Sequence, residues 1–331
     1  MTFPLFTRRL ALAAALALGV ASCGAGDEKA GAAPTEITFS ILSAEGQASA
    51  GPLWQPLLDD MSRAIGVEVK PYFGSNYTVL VEAMRGNQTQ VAWFSAKPAV
   101  EAIDRAEAEV IARTVNREGM DSYRSTLIVR TGSGITLDQV MACGQRYDFG
   151  IGDAQSTSGT LAPMAFLFNP RNISPSECFK TMRSANHQSN AFAVAYGQID
   201  VATSNTVNTV FLNKQNPQIA AQIQEIWQSP PIPESGILVR EDLDPALKEK
   251  IRSFFLTYGQ GEGVEAERQR QVLAGLEYSR FNAADDSYLN PIREMIADQQ
   301  LGEARDKGDS AAVAAAEREL QRLRSLREVQ P

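Results

Sequence analysis

The sequence predicts a two-lobed α/β fold with hinge crossovers and a C-terminal helical extension. Apolar strands alternate with amphipathic helices along the chain, the pattern of a mainly parallel sheet covered by helices. The 331 residues, less a short export leader, leave about 300, enough for two lobes of ordinary size, each with its own core. Two segments, one following Ser125–Arg130 and one around Ile226 to Val239, are placed to carry the chain between lobes and back.

Arg8 and Arg9 precede an apolar run from Leu10 to Ala21, too short to span a bilayer comfortably and placed as the core of a secretory signal. The run ends in Val20-Ala21-Ser22-Cys23-Gly24, which resembles a lipobox. Residues 1–23 are therefore read as a signal peptide with Cys23 as the lipidated first mature residue, and ordinary cleavage nearby is the alternative. Residues 24–35, small and polar, read as a tether in the periplasm or cell envelope. In the first lobe Ile37–Leu42 reads as a strand and Leu53–Ile65 as a helix with Leu53, Leu57, Leu58 and Met61 on one face. The strand Val67–Phe73 with the helix Val79–Arg85, then Val91–Phe94 with Val100–Ala106, repeat that unit. Ser125–Arg130 reads as a strand of the same lobe running into Thr131-Gly132-Ser133-Gly134, the crossover. The second lobe takes the strands Tyr147–Gly150 and Ile199–Thr203 and the helices Leu161–Phe168 and Ala191–Tyr196. Ile226-Trp227 and Ile237–Val239 lead back. Near the C-terminus Asp309 or Ser310 caps a helix in which Val313, Ala316, Leu320, Leu323 and Leu326 recur at helical spacing. That stripe offers a homodimer contact, with packing onto its own lobe as the alternative. The expected boundaries are lobe 1 at 36–131, lobe 2 at 132–228, the return to lobe 1 at 229–290, and the helical segment at 291–331. Two crossovers between α/β lobes describe a type II-like periplasmic-binding-protein fold, whose hinge closes over a ligand.

Thirty-one basic residues against 39 acidic ones give 31 − 39 = −8, which argues against nucleic acid and anionic membrane surfaces as partners. Any anion bound here must be held by local groups. Besides Cys23 two cysteines remain, Cys143 and Cys178. An even pair in an exported chain predicts a disulfide, two free buried thiols being the alternative. No metal-ligand spacing is present and no cofactor is expected.

In an open α/β sheet ligands sit beyond the carboxyl ends of the strands, where helix starts present unpaired N–H groups. Three strand-to-helix turns are rich in donors: Ser75-Asn76-Tyr77, Ser156-Thr157-Ser158-Gly159 and Asn186-His187-Gln188-Ser189. Converging hydroxyls, backbone amides and an imidazole would cradle a tetrahedral oxyanion without a lysine. Each turn taken singly also fits a purely structural cap.

With these residues the chain resembles the phosphonate-binding proteins of ABC transporters and their phosphite-binding relatives. The resemblance runs from Phe39-Ser40-Ile41-Leu42-Ser43 to beyond Asn290-Pro291-Ile292-Arg293. It is carried by Gln90-Val91-Ala92-Trp93-Phe94, Ala102-Ile103-Asp104-Arg105-Ala106, Gly152 through Gly159, and Asp200-Val201-Ala202-Thr203. It implies a solute-binding component that delivers a small phosphorus oxyanion to a permease. It further implies that Ser156, Thr157, Ser158, His187, Tyr77 and Tyr123 hold the oxygens. His187 is the only histidine in the chain.

One departure bears on the ligand. Family members that bind aminoethylphosphonate pair its amine with two acidic side chains, and the aligned positions here are Val207 and Ser235. Neither carries a negative charge, and an unpaired buried ammonium costs several kcal/mol. Methylphosphonate or phosphite is thus favoured over aminated phosphonates. Glu234 adjoins Ser235, so a register shift of one residue would restore a carboxylate. The alternative function is an exported hydrolase or phosphatase using Ser156 or Ser158 with His187 as base. Gly152-Asp153-Ala154-Gln155-Ser156 does not fit a nucleophile elbow.

Overall fold

The computed structural model describes residues 34–42 and 47–329. The signal peptide, the lipobox at Cys23 and the tether up to residue 33 lie outside the described residues. The first lobe begins with β1 (Glu36–Leu42), α1 (Gln47–Ile65), β2 (Glu68–Gly74), α2 (Tyr77–Arg85), β3 (Val91–Phe94), α3 (Ala96–Ala106) and β4 (Ala108–Asn116). A short strand, β5 (Ser122–Tyr123), leads into β6 (Ser125–Arg130), α4 (Leu137–Met141) and β7 (Asp148–Ile151). Two wide helical turns follow at Thr157–Leu161 and Met164–Phe168, then α5 (Pro175–Cys178), β8 (Thr181–Ser184), α6 (His187–Ala195) and β9 (Val201–Asn205). Next come α7 (Thr206–Gln215), α8 (Pro217–Ala220), β10 (Ile223–Gln228), β11 (Ile232–Pro233) and β12 (Gly236–Arg240). The chain closes with α9 (Pro245–Thr257), α10 (Val264–Gly275), β13 (Tyr278–Ala283), α11 (Asn290–Lys307) and α12 (Ser310–Val329).

Two sheets result. One has the order β13-β4-β12-β3-β1-β2 and the other β10-β6-β9-β7-β8. In the first, β1 lies parallel to β2 and β3, while the returning strand β12 runs antiparallel between β3 and β4. Strand β1 is paired on both sides and covered on both faces, which is why Phe39, Ser40 and Ile41 are all buried although they alternate in direction. The apolar face of α1, with Leu57, Leu58, Met61 and Ile65, packs on this sheet in one core cluster with Phe255 and Ile237. In the second lobe Leu127, Val129, Phe149, Phe168 and Phe179 form a separate core. The disulfide Cys143–Cys178 closes over its edge.

The inter-lobe crossing is not where the sequence placed it. Strand β6 pairs with β9 on one side and β10 on the other, so Ser125–Arg130 is a central strand of the second sheet. Its first five residues are all buried, as a strand enclosed on both faces requires. The crossing therefore precedes it, at β5, which pairs antiparallel with the returning β11 (Tyr123 opposite Ile232) to form a two-stranded hinge ribbon. Gly132 and Gly134 instead serve a local turn, with φ of +76° and +73°, on the way to α4.

The C-terminal segment is also different. It is two helices, because Gly308 in the left-handed region (φ +68°) ends α11 and reverses the chain. Asp309 Oδ1 then caps α12, accepting from Ala311 N and Ala312 N at 3.1 and 3.0 Å. Val313, Ala316 and Leu320 pack against Ala297 and Leu301 of α11. The stripe offered as a dimer contact is thus consumed within the chain, and of its members only Leu326 stands exposed, at 40%.

Candidate ligand-binding site

The site is built where the ends of β7 and β9 meet the hinge. The turn after β7 is held backbone to backbone: Gly152 N donates to Gly159 O at 3.0 Å. A Cβ on Gly159 would stand 2.8 Å from Gly152 Cα and 2.8 Å from Ser156 Oγ, so neither glycine has room for a side chain. Ser156 caps the helical turn that follows, its Oγ accepting from Gly159 N at 2.9 Å. Leu161 N reaches back to Ser156 O, an i→i+5 bond that widens the turn. The turn's outward carbonyls are fixed by hydroxyls of the strands beneath it. Ser125 Oγ donates to Ser158 O at 2.6 Å and Thr203 Oγ1 to Gly159 O at 2.8 Å. Strand pairing thus orients the Ser156-Thr157-Ser158 run.

Around this run the structure gathers most of the residues named from sequence. Ser158 Oγ lies 3.1 Å from His187 Nε2 and accepts from Asn205 Nδ2 at 3.0 Å. Tyr123, on the hinge strand, has its side chain hydrogen-bonded to those of Ser158 and Thr157, and burial raises its pKa. Tyr77, the first residue of α2, comes from the other lobe and lines a cavity of about 180 Å³ with Ser156, Asn186 and His187. Val207, near the start of α7, packs against the Tyr123 and Ile232 cluster and, with Tyr123, lines a second chamber of about 360 Å³. Asn76, Ser156 and Asn186 all make N-cap bonds as well, so the structural and site roles coexist.

Ser235 is placed differently. It is buried, and its carbonyl accepts from Thr114 N at 2.9 Å and Thr114 Oγ1 at 3.2 Å, which ties it into the sheet. Its neighbour Glu234 lines the chamber with Tyr123 and Val207. Glu234 is 3% exposed. One oxygen faces Thr114 Oγ1 (3.3 Å) and Ser235 N (3.4 Å), and Oε1 has no hydrogen-bond partner among the described residues. Burial, reinforced by Asp121 and Glu118, raises its pKa to about 7. Val207 and Ser235 carry no carboxyl, but Glu234, which adjoins Ser235, lines the chamber with Val207 and Tyr123.

His187 is neutral at pH 7. Burial lowers its pKa to about 4, only partly offset by the nearby Thr203 backbone, and its Nδ1 has no aligned partner among the described residues. The Ser158–His187 contact resembles a nucleophile and base, yet among the described residues no carboxylate orients the imidazole, and Ser158 Oγ is already engaged by Asn205 and Tyr123.

Two contributors escaped the sequence reading. At the start of α3, Lys97 N donates to Thr157 Oγ1 at 2.8 Å, and Thr157 Oγ1 donates to Ser95 Oγ at 3.2 Å. Lys97 Nζ donates to Ala154 O at 2.6 Å. The first lobe thus meets the oxyanion turn through a fourth helix start. The signal was present: Ser95 follows the apolar strand Val91–Phe94 just as Ser156 follows β7. Asn205, capping α7 at the end of β9, is the second.

Comparison with known proteins gives the family. The family model for periplasmic substrate-binding proteins of phosphonate ABC transporters matches residues 39–289. The chain is 38% identical over 266 residues to the phosphonates-binding periplasmic protein of Escherichia coli K12, covering 80% of this chain and 77% of that protein. A crystal structure of a binding-protein component of an ABC phosphonate transporter from Pseudomonas aeruginosa superposes with a TM-score of 0.84 at 36% identity, over 90% of this chain and 99% of that one. PhnD1 from Prochlorococcus marinus, in complex with methylphosphonate, shares the fold at a TM-score of 0.70 and 19% identity, over 79% and 97% of the two chains. These relatives are binding proteins, which removes the hydrolase reading. The chain belongs to the periplasmic phosphonate-binding family and is the substrate-binding component of an ABC phosphonate importer.

Proposed function

We propose that this protein captures a small phosphonate or phosphite, holding its oxygens with Ser156, Thr157, Ser158, His187, Tyr77 and Tyr123 and turning the fourth substituent toward Val207 and Glu234. The observation that carries the reading is the convergence of hydroxyl, imidazole and helix-start donors from both lobes on one buried turn, with no lysine or arginine side chain among the described residues bonded to its hydroxyls. Such a cradle suits an oxyanion through oriented dipoles. Discrimination falls to the substituent wall. Val207 there favours an apolar group or hydrogen, which supports methylphosphonate or phosphite over aminated ligands. Phosphate carries an extra hydroxyl that the apolar part of the wall does not satisfy.

Glu234 favours a second reading, in which its ionised carboxylate pairs an ammonium. Its raised pKa supports the first, because a carboxyl near half protonation at pH 7 is a weak counter-ion. Titration calorimetry separates them. Thr157→Ala and His187→Ala should each weaken phosphite and methylphosphonate by about tenfold to a hundredfold. Glu234→Gln should leave those ligands bound and lower only aminoethylphosphonate. Aminoethylphosphonate binding tightest to the unaltered protein, and losing that rank in Glu234→Gln, would establish the second reading instead.

A further inference from the structure

Lys214 and Glu277 stand on different lobes and form an ion pair. Lys214 lies in the last turn of α7, the helix after β9 of the second sheet, and Glu277 lies between α10 and β13, the edge strand of the first. Between them the chain runs through β10 and the hinge return at β11, so a hinge motion that parts the lobes pulls these two residues apart. The partners are not equally at home. A cation in the last turn of a helix is favoured by the helix dipole, and the half-exposed Lys214 would suit its position without a partner. Glu277 would not. Its side chain is only 9% exposed, and its backbone is in the left-handed region (φ +63°) just after α10, where glycine or asparagine is the usual residue. What this glutamate touches is charge. Oε1 accepts from Lys214 Nζ of the opposite lobe, and Oε2 lies 4.0 Å from Nη1 of Arg117, which follows β4 in its own lobe.

We propose that Glu277 is a latch between the lobes that exchanges partners, held by Lys214 when the lobes are together and by Arg117 when they part. The exchange keeps the nearly buried carboxylate paired in both states, which a latch without a second cation could not do, since an uncompensated buried charge is costly. Arg117 is already within reach and half exposed, free to close the remaining gap once Lys214 withdraws. The latch adds to closure a contribution that does not depend on the chemistry of the ligand, and it makes the closed state sensitive to ionic strength. It also assigns opposite roles to two cations beside one carboxylate: Lys214 favours the closed arrangement and Arg117 the open one. An ion pair that merely stabilised the fold would give both the same sign.

The test is small-angle X-ray scattering of the protein without ligand, at about 0.1 M and about 1 M salt, between which the screening length falls from about 10 Å to about 3 Å. In low salt Lys214→Met and Glu277→Gly should both have a larger radius of gyration than the parent, and the parent should expand toward them in high salt. Arg117→Met should be no larger than the parent. Glycine suits the left-handed backbone at 277, so Glu277→Gly should fold as the parent does, which circular dichroism checks. With methylphosphonate as the probe, stopped-flow dissociation should accelerate at least about fivefold in Lys214→Met, the change that the upper end of the exposed ion-pair range gives, and slow in Arg117→Met. Equal radii in the parent, Lys214→Met and Glu277→Gly, or an Arg117→Met protein as expanded as Lys214→Met, would overturn the latch. The scattering measurement needs no ligand, so it decides this point separately from whether the oxyanion turn binds methylphosphonate.

Discussion

His187 and Glu234 are two titratable groups of the site whose pKa values burial shifts strongly, and they carry opposite stability slopes. Burial depresses His187 from 6.5 to about 4, so its neutral form is favoured by folding and stability is lost as pH falls from 6.5 through 4. Burial raises Glu234 from 4.5 to about 7, so its protonated form is favoured and stability is lost as pH rises from 4.5 through 7. Between about pH 4.5 and 6.5 the two nearly cancel. Urea unfolding across this window should therefore show a flat profile for these groups in the unaltered protein. Glu234→Gln should uncover a rise with pH of roughly 2–3 kcal/mol, from the His187 shift alone. A flat Glu234→Gln profile would mean that His187 is solvated, and a flat parent beside it that Glu234 is solvated too. Oxyanion binding should pull His187 back toward its charged form, so proton uptake should accompany binding below neutral pH.

Gly152 and Gly159 give the turn between β7 and the following helical turn its shape, and they act through backbone contact, not side chains. Since the atoms a new Cβ would strike at Gly159 include Gly152 Cα, the strand end and the helix start must separate. Gly159→Ala should destabilise the protein by about 1–3 kcal/mol and, by moving Thr157 and Ser158 off their strand anchors, cut affinity at least tenfold. Gly302 in α11 is the contrasting case, with no atom within 4 Å of its would-be Cβ. Gly302→Ala should stabilise by up to about 1 kcal/mol and leave affinity alone. Thermal melts with and without ligand measure both, and a Gly159→Ala protein of parental affinity would show that the turn does not need this close approach.

Across the whole molecule a net charge of −8 surrounds a site built for an anion. Local dipoles and closure must supply the attraction, and closure is visible as contacts between lobes. Lys97 contributes twice, through its N–H to Thr157 and its Nζ to Ala154 O. Lys97→Met removes only the second. A net hydrogen bond contributes about 0.5–1.5 kcal/mol, so dissociation should accelerate by roughly twofold to tenfold for every ligand alike, with association little changed. Stopped-flow fluorescence from Trp93 or Trp54 can follow it. An unchanged dissociation rate in Lys97→Met would mean that this contact does not hold the lobes together.

Much of this protein is determined by local sequence. The strands Ile37–Leu42, Val91–Phe94 and Ser125–Arg130, the helix ending at Ile65 and the donor-rich turns at Ser75, Ser156 and Asn186 are legible because short-range periodicity and capping chemistry create them. The long strands β4 and β13 went unread because Glu109, Arg113 and Arg280 interrupt their apolar pattern, and their pairing with each other and with β12 makes them strands. The sheet to which Ser125–Arg130 belongs was likewise undecidable from its own residues, since an enclosed strand reads the same in either lobe. Tertiary structure alone placed α11 against the α12 stripe, brought Ser95 and Lys97 onto Thr157, and set Glu234 against Thr114 in the wall of the chamber. Those outcomes depend on contacts between residues far apart in sequence, 60 positions for Lys97 with Thr157 and 120 for Thr114 with Glu234. Local propensity specifies which segments are strands, helices and caps, and only long-range packing specifies which of their side chains meet.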